Sequence, residues 1–126
     1  MREIREVIFR GKRTDNGEWI TDSETYIRDG DGIWLSDENL NVVTVIPETV
    51  GQFTGLTDKN GRRIFEGDIV DYISSDVIGN PKTGTIIVED MTDYDTMIYL
   101  NHSEELQIIG NIHDNPDILK GGGENG

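Results

Sequence analysis

The sequence predicts a mostly β protein with minor α content. The expected order is an N-terminal β-hairpin region over residues 1–50, then a small SH3-like β-barrel region over 51–120 with a short C-terminal helix, then a flexible tail over 121–126. Three observations lead there. Val, Ile, Leu, Phe, Tyr and Trp come in short alternating groups, the pattern of a half-buried sheet. The groups recur at roughly the 8- to 12-residue spacing of sandwiches and barrels. Glycine-containing turn signals stand between them, while helix-period stretches are scarce.

The elements follow in order. Residues 4–10 (IREVIFR) are β-branched and aromatic enough for a strand. Asn16-Gly17 is an Asn-Gly hairpin turn, after which Trp19 and Ile20 begin the return. A strand at Thr25 to Arg28, a Gly-Asp-Gly turn and a strand at Ile33 to Leu35 repeat the motif. Residues 42–47 (VVTVIP) predict a short buried strand closed by proline. Residues 66–74 (EGDIVDYIS) predict another strand, and 74–84 (SSDVIGNPKTG) a polar loop. GTIIVED, TMIYL and LQIIGNI predict three more strands. Over 115–120 (NPDILK) a helix is expected, with Asn115 as N-cap, Pro116 in the first turn and Asp117 at the positive end of the dipole. The chain divides most naturally near Pro47.

Composition narrows the function classes. The net charge of −14 is uneven: residues 1–20 hold five basic and four acidic groups, whereas 76–126 hold two and ten. Phosphate backbones are bound by clustered Lys and Arg, so direct nucleic-acid binding is disfavoured. No apolar run approaches the ~20 residues of a membrane helix, and MREIREVIFRGKR lacks the apolar core of a signal peptide. A soluble, cytoplasmic protein is expected, with no membrane partner. With no cysteine, thiolate catalysis, disulfides and thiolate zinc sites are excluded. P-loop, Rossmann, G-x-S-x-G and H-E-x-x-H patterns are missing, so neither a catalytic residue nor a cofactor is expected.

Four sets of residues have the composition of possible sites. Asp58-Lys59-Asn60-Gly61 has the first spacing of a calcium loop, but positions six and twelve are Arg63 and Ile69, not Gly and Glu. It reads as a hairpin corner, and Asp29, Asp31 and Gly32 read the same way. Glu66 and Asp68 form a weak candidate polar pair: two apart on a regular strand, they would share a face, and paired carboxylates can do acid–base work. The plainer reading is a structural carboxylate closing a turn. His102 and His113 read as surface histidines, since nothing in their spacing makes them converge on a metal. Finally, Glu89, Asp90, Asp93, Tyr94 and Asp95 surround an aromatic with acids, the composition of a partner-binding patch; the plainer reading is a solvated loop.

Three blocks carry a family resemblance: FRGKRTDNGEW at 9–19, GQFTGLTDKNGRRIFEGDIV at 51–70 and LQIIGNIHDNPDIL at 106–119. Together they resemble the YopX family of bacteriophage and prophage proteins. The segments 21–46 and 74–105, which hold most of the acidic charge, show no recognised pattern. The resemblance implies a mostly β protein of phage origin, and it brings no catalytic residues with it. Glycines 51, 55, 61, 67 and 110 then read as backbone positions of unusual φ/ψ or close packing, with Asn111 and Asn115 as loop and cap residues. The expected function is a non-enzymatic phage accessory protein acting by protein–protein contact and self-association. The alternative is an acidic inhibitor that imitates nucleic acid and blocks a host DNA-binding protein, resting on the charge of 21–50 and 76–126.

Overall fold

β1 (Phe9–Lys12) and β2 (Trp19–Ser23) open the computed structural model, which describes residues 7–75, 78–89, 100 and 103–118. Residues 4–6 of the first expected strand, nearly all of TMIYL, and the tail lie outside that set. The chain is mostly β, ten strands and one 3₁₀ turn among the described residues, and it divides into two compact units after Gly55.

In the first unit β1 pairs antiparallel with β2, joining Gly11 to Ile20 and Lys12 to Trp19, with a bulge between Phe9 and Gly11. Gly17 sits at φ 75°, as an Asn-Gly turn requires, and its amide donates to the Arg13 carbonyl at 3.0 Å. β1 also pairs with the start of β6 (Gly51–Thr57). Residues 9 and 10 of the expected strand lie in β1, which runs on to Lys12. Within it Gly11 packs closely: a side chain there would meet Leu35 and Val50 at 3.2 Å. β3 (Ile27–Asp29), β4 (Gly32–Ser36) and β5 (Val42–Val45) form an antiparallel meander. Gly30, at φ 61°, opens the two-residue turn between β3 and β4. β5 was expected to be buried throughout, yet Val42 and Thr44 are exposed and Val45 is buried, the alternation of a sheet with one wet face. The 3₁₀ turn Pro47–Thr49 follows, and Thr49 Oγ1 accepts the Lys12 amide at 2.8 Å.

The core of this unit is Ile20, Ile33, Leu35 and Val45, with Phe9, Val43 and Val50 against it. Ser23 stitches β2 to β4: its buried hydroxyl oxygen accepts the Ser36 amide at 2.9 Å and the Thr25 amide at 3.1 Å. Together these contacts hold a small core that local pattern alone would not stabilise.

In the second unit β8 (Asp68–Ser75) is the centre of a three-stranded antiparallel sheet, flanked by β9 (Pro81–Ile87) and β10 (Glu105–Asn111). β7 (Arg63–Phe65) precedes it. The expected polar loop over 74–84 is corrected at its end: β9 already begins at Pro81, paired with Ser75. Proline is tolerated as the first residue of a strand, where its missing N–H breaks no ladder bond. The core is Ile64, Val70, Val88, Leu100, Leu106 and Ile108, with Leu56, Tyr72 and Ile86 packed on it.

Of the C-terminal helix expected over 115–120, Asp117 and Ile118 are helical and the described residues stop there. Asn115 Oδ1 turns back to accept the Asn111 amide at 3.2 Å, closing the turn that precedes them. Gly110 lies beneath that turn, where a Cβ would sit 2.7 Å from both Asn115 Oδ1 and Ile118 Cδ1. No helix among the described residues is long and apolar enough to cross a membrane.

Candidate functional site: the signature hairpin and the outer face of the second sheet

The Asp58 corner is built around one carboxylate. Its Oδ1 accepts the amides of Asn60 and Arg62, both at 2.9 Å, and its Oδ2 accepts the buried amide of Ile108 at 3.1 Å. The Asp58 amide donates to the Arg62 carbonyl at 2.8 Å and the Lys59 amide to the Leu106 carbonyl at 2.8 Å. Gly61, at φ 82°, completes the turn. The corner is therefore pinned to β10, fifty residues away in sequence. Burial pushes the Asp58 carboxyl up, but the amides of Ile108, Arg62 and Asn60 outweigh it and hold the group below its ordinary range. With both oxygens committed to backbone amides, the carboxylate serves the fold.

The Glu66–Asp68 pair is arranged differently from two residues on one strand. Glu66 occupies the turn after β7, half-buried, whereas Asp68 opens β8 and is 1% exposed. Asp68 Oδ2 accepts the Phe65 amide at 2.8 Å across that turn. Gly67 has φ 97°, its amide reaches the Val88 carbonyl at 2.6 Å, and its carbonyl accepts the Ile112 amide at 2.9 Å. The EGD step thus joins three chain segments through main-chain bonds.

The outer face of the β10–β8–β9 sheet is an open surface next to these corners. Strand alternation sends Val70 and Tyr72 to the core and Asp71, Ile73 and Ser75 outward. Cross-strand register then lays down two rows, Glu105–Ile73–Thr83 and Gln107–Asp71–Thr85. Thr85 Oγ1 donates to Asp71 at 2.6 Å, Ser75 Oγ donates to Glu104 at 2.7 Å, and Lys59 Nζ reaches Glu105 at 3.3 Å. Ile73, 37% exposed, lies among them. A shallow depression of about 380 Å³ covers both rows, with Lys59 at its rim. Its walls offer hydroxyls, an amide and carboxylates around one apolar side chain, a set suited to recognition.

Of the acidic patch singled out in the sequence, Glu89 is exposed just beyond β9, while Asp90, Asp93, Tyr94 and Asp95 lie outside the described residues. His113 is half-buried and its amide donates to Asn111 Oδ1 at 2.9 Å; His102 lies outside the set. No group of three metal-ligating side chains occurs among the described residues. Sequence reasoning missed Asp71, Ile73, Thr83, Thr85, Glu105 and Gln107. The alternation in DIVDYIS marked the first two as outward, but reading 74–84 as a loop hid the neighbouring strand. In the first unit, Trp19 carries Arg10 at 4.9 Å and Lys12 at 5.5 Å over its ring, a small cationic–aromatic cluster in an acidic chain.

No curated protein and no solved structure is significantly similar to the chain. A protein-family model is: the YopX protein family matches residues 8–120, a span that contains the FRGKR opening, the Asp58 and EGD corners and the β10 strand with its closing turn. By that match the chain belongs to the YopX family.

Proposed function

We propose that this YopX-family protein is a non-enzymatic phage or prophage accessory protein that works in the host cytoplasm by protein–protein contact and self-association. The observation that carries the contact reading is the outer face of the β10–β8–β9 sheet: an exposed Ile73 set among hydrogen-bonding side chains on a rigid three-stranded support. The two buried carboxylates, Asp58 and Asp68, each accept backbone amides, which ties them to the fold and favours binding over acid–base chemistry. Residues 51–120 belong to this reading as a small SH3-like barrel, supported by the glycine-tipped Asp58 corner and the antiparallel sheet that follows it.

Affinity capture from a bacterial host lysate, with and without nuclease, tests it when wild type is run beside Ile73→Arg. One dominant protein that survives nuclease and is lost with the variant is the expected result. Recovery of the bait alone, or the same proteins with both baits, would refute the reading. The acidic-mimic alternative rests on exposed Glu89 and on the charge of 76–126. It would take over if the captured protein were a DNA-binding factor released by salt and weakened by neutralising Glu89, Asp90, Asp93 and Asp95.

A further inference from the structure

Asp71 and Glu105 both line the depression on the outer face of the β10–β8–β9 sheet, with Lys59 at its rim. The register makes them diagonal neighbours, since Gln107 faces Asp71 and Glu105 faces Ile73. Such positions lie roughly 7–8 Å apart in an antiparallel pair. Ile73 completes the triangle: it is opposite Glu105, two residues from Asp71 on β8, and exposed. Each carboxylate has spare capacity. Asp71 Oδ1 accepts the Thr85 hydroxyl at 2.6 Å, and its Oδ2 has no partner among the described residues. Glu105 Oε2 meets Lys59 Nζ at 3.3 Å, and its Oε1 is likewise open among the described residues. Both members of that ion pair are exposed, and pairs of this kind contribute little, so an incoming group displaces it readily. Two carboxylates against one ammonium leave the depression net negative, in a chain whose own charge is −14.

We infer that this depression seats one arginine side chain of a partner protein, its aliphatic stem on Ile73 and its guanidinium between Asp71 and Glu105. This names the partner's chemistry in the contact reading above and rests on it. Three features of the site select arginine. Its charge complements the two carboxylates, and the field of an acidic chain steers a basic partner toward them. Its planar fork carries donors on separate nitrogens, so one guanidinium serves both diagonal carboxylates, whereas a lysine ammonium is a point charge suited to one of them. Its stem is apolar, and laying it on Ile73 removes aliphatic surface from water while the charged head stays among acceptors. Gln107, beside Asp71 in the register, adds an amide oxygen to the same edge. The Thr85 hydroxyl, donating to Asp71, holds that carboxylate in place before anything binds. A partner's aspartate or glutamate would meet like charges here. A purely apolar side chain would take two open carboxylate oxygens out of water unpaired.

The probe is N-acetylarginine amide, with the matching lysine and citrulline amides beside it; citrulline keeps the planar end and loses the charge. Each is titrated into the isotope-labelled full-length chain and followed by its backbone amide chemical shifts. The arginine amide should shift Asp71, Ile73, Glu105 and Gln107 together and saturate in the millimolar range. The lysine amide should bind several-fold more weakly, and the citrulline amide should leave those shifts unmoved. Asp71→Asn and Glu105→Gln should each weaken the arginine amide roughly two- to fivefold, the size of an exposed ion pair, with circular dichroism unchanged. Added salt should weaken it in wild type as well. Equal binding of the three probes, shifts outside the two rows, or binding indifferent to both substitutions overturns the inference. So does the lack of any saturable shift. Capture from the host lysate separates this from the contact reading. A protein lost with Ile73→Arg should also be lost when Asp71→Asn and Glu105→Gln are combined. If Ile73→Arg loses it and the double substitution keeps it, the arginine inference fails and the contact function stands.

Discussion

Replacing Asp58 with asparagine separates the two jobs of one carboxylate. The amide side chain keeps one oxygen, which can go on accepting the Asn60 and Arg62 amides now held at 2.9 Å. Its NH₂ group then faces the Ile108 amide, donor against donor, where a 3.1 Å bond stood. Ile108 is buried, so its amide gains no water in exchange. An unsatisfied buried donor costs about 1–3 kcal/mol. Loss of the charge from the two remaining bonds adds roughly 0.5 kcal/mol each, because charge-assisted bonds are the stronger kind. Asp58→Asn should therefore destabilise the protein by about 2–4 kcal/mol. Urea denaturation gives the total. Hydrogen exchange locates it: Ile108 should lose protection while Asn60 and Arg62 retain most of theirs. A loss below about 0.5 kcal/mol, the size of an ordinary surface change, would refute the account. An unchanged Ile108 amide would do the same.

The same carboxyl sets a pH dependence. Its pKa is held below the ordinary range in the folded state, so its stabilisation is complete above the unfolded-state value near about 4 and disappears as pH falls through the lower folded value. The stability gap between wild type and Asp58→Asn should accordingly be constant at neutral pH and shrink in acid; a gap independent of pH down to unfolding contradicts the assignment. Gly84→Ala should cost about 1–3 kcal/mol by overpacking, since the new Cβ would lie 2.7 Å from the Tyr72 hydroxyl and 2.8 Å from its ring, and near-ultraviolet dichroism should report the displaced phenol. Ser23→Ala strips the acceptor from the Ser36 and Thr25 amides and should cost about 1–3 kcal/mol; an unshifted melting curve would show that the hydroxyl does not join β2 to β4.

What the sequence disclosed was local chemistry. Asn16-Gly17, Gly30-Asp31 and Asn60-Gly61 could be read as turns because a positive φ leaves its mark on residue type, and the structure puts those glycines at 75°, 61° and 82°. The family signature was legible too, as three ordered blocks. Long-range partnership was not. Nothing near Asp58 announces that Ile108 will donate to it, and a hairpin corner was as far as local pattern could go. Pro81 and Gly84 made a strand look like a loop, yet one is the strand's first residue and the other makes room for Tyr72. Asn115 had the chemistry of a helix cap, and the bond its oxygen accepts from the Asn111 amide was not to be read from that chemistry. The outer face was half-visible in the alternation of β8 and needed the register of β9 and β10 to become a surface.

β8 also bears on how such a protein can change. From residue 70 to 75 its even positions, Val70, Tyr72 and Ser74, face inward, and its odd positions, Asp71, Ile73 and Ser75, face solvent. Two messages are interleaved on one short strand, one addressed to the fold and the other to whatever touches it. The second can be rewritten letter by letter while the first is left intact. Substitutions at those three alternate positions would change what the face offers while leaving the packing beneath undisturbed.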